Sequence, residues 1–199
     1  MQFAVDFPAR PLDRLTTAFR IIVALPILFL ISVLTSDIVD GGHQMTVTLA
    51  SGAGLLFLPL LLMILFRRKY PRWWFDWNIN VLRFSNRVTA YLALLDDRYP
   101  STDEDQSVHL NFAYPDARQL NRWLPLVKWL LAVPHYIVLF FLGIAAVLAI
   151  FVAWFAILLT GTYPRNLFDY VVGVLRWSNR VNGYAFALVT DEYPPFSLS

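Results

Sequence analysis

Asp76, Asn80, Arg83 and Arg87 stand at spacings of four, three and four residues, so all four side chains fall on one stripe of a helix. A carboxylate beside two guanidinium groups has two chemical uses. The guanidinium fork can clamp a phosphate or carboxylate bidentately, which would make the stripe a pocket for an anionic headgroup or an acidic partner. Alternatively, Asp76 and Arg83 pair with each other, with Asp97 and Asp191, or across to another part of the chain, and simply hold the fold. The stripe recurs as Asp169, Gly173, Arg176 and Arg180, with glycine where Asn80 stood. Asn86 and Asn179 repeat beside it, after Ser85 and Ser178, as groups that can bond helix ends or neighbouring helices. The candidate residues for contact with a lipid headgroup or a partner protein are therefore Asp76, Arg83, Asn86, Arg87, Asp169, Arg176, Asn179 and Arg180.

These residues belong to a longer duplication. Residues 70–88 read YPRWWFDWNINVLRFSNRV and residues 163–181 read YPRNLFDYVVGVLRWSNRV. Tyr91 then answers Tyr184, and Asp97, Tyr99 and Pro100 answer Asp191, Tyr193 and Pro194. Upstream, FRIIVALPILFL (19–30) parallels VKWLLAVPHYIVLF (127–140), and Asp13-Arg14-Leu15 parallels Asn121-Arg122-Trp123. Phe7-Pro8 parallels Tyr114-Pro115, each after an alternating segment (Phe3, Val5, Phe7; Val108, Leu110, Phe112, Tyr114) that reads as a short strand. A fixed-period repeat of this kind sets the architecture as two copies of one unit.

Elsewhere the residues exclude most chemistry. There is no cysteine, so no disulfide, thiolate metal site or cysteine nucleophile is available. His43, His109 and His135 have no partner at ligand spacing and do not recur between the copies, so no metal, haem or other cofactor is expected. His135, beside Pro134, reads as a buried, hydrogen-bonded residue, with a proton-handling or ligand role as the sharper alternative. No nucleophile elbow, phosphate loop or dinucleotide fingerprint occurs, so no catalytic residue is assigned and an enzyme is not favoured. The basic residues belong to membrane topology and imply no nucleic acid.

The elements that position the stripes follow from composition. Apolar residues make up 58% of the chain and charged residues 15%, against about 45–50% and 25% in soluble domains. The apolar residues are also blocked, which reads as a membrane protein. The expected fold class is an all-α integral membrane protein of two tandem repeats, each a transmembrane helical hairpin followed by an interfacial amphipathic helix, with a short strand before each repeat. The first module covers 1–100, with crossings at about 17–36 and 47–66 and an interfacial helix at about 72–96. An acidic linker, 101–106, precedes the second module, 107–199, with crossings at about 120–142 and 143–161 and an interfacial helix at about 165–189. The long apolar run from Trp129 to Thr160 is divided at a tight turn near Leu142-Gly143 because the repeat requires it and because a single crossing would put Arg165, Arg176 and Arg180 outside, with one long helix as the alternative. All 16 Lys and Arg lie outside both hairpin tips, which predicts cytoplasmic termini. Lys128, just inside its helix, is expected to snorkel to the headgroups. Trp73, Trp74 and Trp77 suit headgroup level.

LAVPHYIVLFFLG (131–143), AWFAILLTGTYP (153–164) and FDYVVGVLRWSNRVNGYAFALVTDEYPPF (168–196), with the weaker copy at 70–100, resemble a family of bacterial membrane proteins known as DUF4389, a domain of unknown function. The resemblance implies a bacterial inner-membrane location and brings no activity or functional residue with it. The function expected is a non-enzymatic accessory or scaffold subunit of a membrane complex, contacting anionic lipid headgroups and a partner membrane protein or a second copy of itself. The rivals are a lipid-handling protein, acting in transport or lipid modification, and a small oligomeric channel or transporter.

Overall fold

Phe3 and Val5 alternate with exposed neighbours, as Val108 and Leu110 do, so each segment has one face to bury. They bury it together. β1 (Gln2–Val5) and β2 (Val108–Asn111) form an antiparallel ladder in which Phe3 faces Leu110 and Val5 faces Val108. The computed structural model describes residues 1–35, 60–102, 104–117 and 120–199. Among these residues five α-helices accompany the strands: α1 (Arg14–Thr35), α2 (Arg72–Leu92), α3 (Pro125–Leu131), α4 (Val133–Thr160) and α5 (Arg165–Ala185). A π-helical turn, Met63–Arg67, precedes α2. Most of the crossing expected at 47–66, and the tip before it, lie outside the described residues.

α2 and α5 begin and end alike. Each is preceded by the proline of a Tyr-Pro pair, Pro71 or Pro164, whose ring holds φ at −62° just where an unpaired N–H costs nothing. Each stops four residues short of the expected end. Leu94 and Leu188 then adopt left-handed φ values of 64° and 50°, a conformation leucine rarely takes. Both leucines are buried, and that packing holds the strained turn in place.

The expected tight turn at Leu142-Gly143 is absent. α4 is one helix of 28 residues that passes straight through both positions. Gly143 alone does not break it. The surrounding Leu, Ala, Ile and Phe carry no competing polar side chain, and a lone mid-helix glycine costs only about 1 kcal/mol. The interruption falls earlier, at Ala132 between α3 and α4. There Pro134 occupies the first turn of α4 and removes a backbone donor. The second module thus holds one long apolar helix where two crossings were expected, and it is the one helix among the described residues that is long and apolar enough to span a membrane.

α5 returns antiparallel along α3 and α4. Tyr170 donates to the Leu142 carbonyl at 3.0 Å, Trp177 to His135 Nδ1 at 3.1 Å, and Tyr184 lies against Lys128. α1 pairs with α2 in the same sense, through Ala24 and Ile27 against Phe84 and Val88. The opposite faces of α2 and α5 carry the strands, α2 under β2 and α5 under β1. Each helix therefore supports the strand that belongs to the other half of the sequence.

Candidate functional site

The stripe arginines are aimed at the strands and chain ends, and they obey the same exchange. Arg83 donates through Nε to the Leu110 carbonyl at 2.9 Å, and Arg176 donates through Nε to the Phe3 carbonyl at 3.1 Å. Leu110 and Phe3 are themselves paired across the ladder. The second arginines hold the chain that follows each helix. Arg87 donates to the Ser101 carbonyl at 2.8 Å, and Arg180 to the carbonyls of Ser197 and Ser199. Burial, and then the neighbouring Arg176, push the Arg180 guanidinium down from its usual range.

The aspartates of the stripes stand apart. Asp76 is exposed and forms no ion pair with Arg83 among the described residues, and Asp169 pairs with Arg165 at 3.2 Å one turn back. Asn86 and Asn179 are buried and face each other. Each also donates to a carbonyl one turn earlier in its helix, Leu82 or Leu175.

A second set of polar residues meets at the other end of these helices, where the sequence reading gave Asp97, Asp191 and Lys128 other roles and passed over Arg20. Arg20 is buried, lies over the Tyr91 ring, donates to the Tyr91 and Asp96 carbonyls and forms an ion pair with Asp97. Lys128 does not snorkel. It is fully buried, lies over the Tyr184 ring, donates to the Thr190 carbonyl at 2.7 Å and pairs with Asp191 at 2.7 Å. Burial pushes its ammonium down from the ordinary lysine range, and Asp191 opposes that shift. Asp97 and Asp191 also accept from the backbone N–H of Asp13 and Asn121, at 2.8 and 2.6 Å. The signal was present in the upstream repeat, where Arg20 and Lys128 stand at the same distance after Asp13 and Asn121.

The exchange continues in the loops. Arg14 donates to the Leu159 carbonyl and Arg122 to the Leu65 carbonyl, each satisfying a helix end in the other half. Arg165 stacks over Phe7 at 4.6 Å, and Arg72 over Tyr114 at 5.4 Å. The linker is less solvated than its acidic sequence implied. Gln106 is buried and bridges the Tyr99 carbonyl and the Ser101 N–H. His109 meets Asp6 at 3.0 Å on the surface. His135 is fully buried between Trp177 and the stacked ring of Phe196, 4.0 Å away.

This arrangement defines a mostly helical protein built around buried polar ties, with one helix among the described residues fit to cross a membrane. The family described as Domain of unknown function (DUF4389) matches residues 123–197 of the chain. No curated protein and no solved structure matches the chain.

Proposed function

We propose that this chain is an integral membrane scaffold, made of two tandem units of this family that exchange their N-terminal segments. The observation that carries the membrane reading is the outer face of α4. Ile137, Phe140, Phe141, Val147, Phe151 and Phe155 are all exposed along one side, while Ala146, Ala149, Ala153 and Ile157 are buried on the other. Only 17% of its most apolar window is buried, whereas a core helix of a soluble protein would be covered all round. At 1.5 Å per residue its 28 residues reach about 42 Å, enough for a hydrocarbon layer of about 30 Å. α1 adds a second apolar face through Phe19, Ile21, Ile22, Leu25 and Phe29.

The scaffold reading is supported by how the polar residues are used. The four stripe arginines and the two asparagines beside them all bond other parts of the chain, which ties α2 and α5 to the strands, to each other and to the segments that follow them. Phe3 and Leu198 meet at one guanidinium, that of Arg176, which favours both ends of the chain on one side of the membrane. A bacterial inner membrane, with that side cytoplasmic, fits the placement of the basic residues. Alkaline carbonate extraction tests the membrane reading: the chain is expected to stay in the membrane pellet, and release into the supernatant would sink it. For the scaffold reading, cross-linking in native membranes should recover a second protein or a second copy, and a chain that always runs alone counts against it.

A further inference from the structure

The two arginine pairs sit in equivalent sockets, but only one socket is filled. Beside Arg176 and Arg180 the chain's own tail lies in place. The carbonyls of Ser197, Leu198 and Ser199 accept from the two guanidinium groups, and Leu198 presses on α5 so closely that a Cβ on Gly173 would lie 3.0 Å from it. Beside Arg83 and Arg87 there is instead an open pocket of about 280 Å³, bordered also by Asn80, Asn111, Thr102 and Asp105. Arg87 is 8% exposed, and its Nε is buried without a partner among the described residues.

What the filled socket accepts shows what the open one is built to hold. Three oxygen acceptors converge on two guanidinium groups, and a phosphoryl group offers three such oxygens on one atom. The seat taken by Leu198 is not reproduced. Asn80 replaces Gly173, and its Oδ1 accepts from Arg83 at 3.3 Å. That exchange removes the apolar seat for a leucine-bearing peptide and adds an amide. Asn111, whose Oδ1 accepts from Arg83 at 2.9 Å, lines the opposite wall. Among the described residues that line the pocket, two guanidinium groups face one carboxylate, that of Asp105, so this lining favours an anion.

We infer that this pocket binds a phosphoryl oxyanion, carried by a lipid headgroup or by a free phosphate, with Arg87 as its principal ligand. The inference deepens the headgroup contact expected of the membrane scaffold and rests on it for the lipid source.

The test uses the full chain in phosphatidylcholine discs, titrated with inorganic phosphate and, separately, reconstituted with phosphatidic acid. Saturable binding is expected from at least one of the two. Binding of phosphatidic acid alone identifies the membrane as the source, and competition by inorganic phosphate identifies a soluble one. Arg87→Gln should weaken binding by about tenfold or more, the loss expected for a charge-assisted bond. Arg98→Gln, which removes an exposed arginine away from the pocket, should leave it unchanged. Because Arg87 also holds the Ser101 carbonyl, Thr102→Glu provides the second arm, placing a further carboxylate on an exposed position of the rim and repelling the anion. No saturable binding of either probe, or equal binding by wild type, Arg87→Gln and Thr102→Glu, overturns the proposal. Carbonate extraction of the same variants reports membrane residence independently, so loss of the pocket and loss of the membrane reading remain distinguishable.

Discussion

Asn86 and Asn179 donate to each other's carboxamide oxygens, at 2.8 and 2.6 Å, from equivalent positions on α2 and α5. Such a reciprocal pair is the contact a two-fold axis would make with itself, and both side chains are buried. Asn86→Ala would leave the Asn179 amide buried with one partner fewer, at a cost of about 1–3 kcal/mol. The double variant Asn86→Ala/Asn179→Ala should cost clearly less than the two single changes together. A thermodynamic cycle from unfolding in detergent measures this, and strict additivity would show that the pair is not coupled.

Asp191 and Lys128 should respond unequally to removal. Asp191→Asn leaves a fully buried ammonium without its counter-charge, which costs about 3–5 kcal/mol in comparable buried pairs. Lys128→Met removes the buried charge and fills similar volume, and it leaves the Asp191 carboxylate partly exposed and still bonded to the Asn121 N–H, so it should cost less than Asp191→Asn. Unfolding midpoints of the two variants decide the matter. A larger loss for Lys128→Met would mean that its bond to the Thr190 carbonyl dominates.

Tyr70 and Tyr163 give the chain an alkaline limit. Burial, reinforced at Tyr70 by Tyr114, raises both phenols above the ordinary tyrosine range, while the unfolded chain titrates near pH about 10. The folded state therefore keeps protons that the unfolded state has lost. This contribution to stability is fully present below pH about 10 and falls as pH rises above it. The two hydroxyls differ in their bonds. Tyr70 donates to the Ala187 carbonyl at 2.8 Å, whereas the buried Tyr163 hydroxyl has no partner among the described residues. Tyr163→Phe should shift the alkaline unfolding midpoint upward with little loss at neutral pH. Tyr70→Phe should lose about 1 kcal/mol at neutral pH. Equal behaviour of the two variants would contradict this account.

Gly173→Ala should release the tail. The added Cβ meets Leu198 backbone and side chain at 3.0 Å, so Leu198 must move away from α5 and loosen its carbonyl from Arg176. Alanine also favours the helix by up to about 1 kcal/mol, so overall stability should change little. Carboxypeptidase digestion should trim the last residues faster in the variant than in wild type, and equal protection would count against the seat.

How much was legible in the sequence depended on whether the information was local. Spacing located α2 and α5 to within a few residues, because a stripe of apolar and polar positions is a property of neighbours. The helix ends were read too late because Leu94 and Leu188 turn left-handed, a conformation no leucine announces. The repeat exposed which residues were equivalent but not which half each would bond. Arg83 looked like a partner for Asp76 on its own helix, and its bond to Leu110 is visible only once β2 is folded over α2. The turn at Gly143 failed for the reverse reason. Symmetry argued for it, and the local sequence, apolar and rich in helix formers, carried the helix through.

The bond from Arg176 to the Phe3 carbonyl spans 173 residues. β1 therefore leaves the ribosome well before the arginine that secures it. β1 must wait for β2 to be made before it has a ladder, and for α5 before it has a floor. Long-range closure of this kind is slow compared with helix formation, so a truncated chain would display an unpaired strand edge. The same exchange of segments that locks the finished chain thus leaves an incomplete one with β1 unladdered.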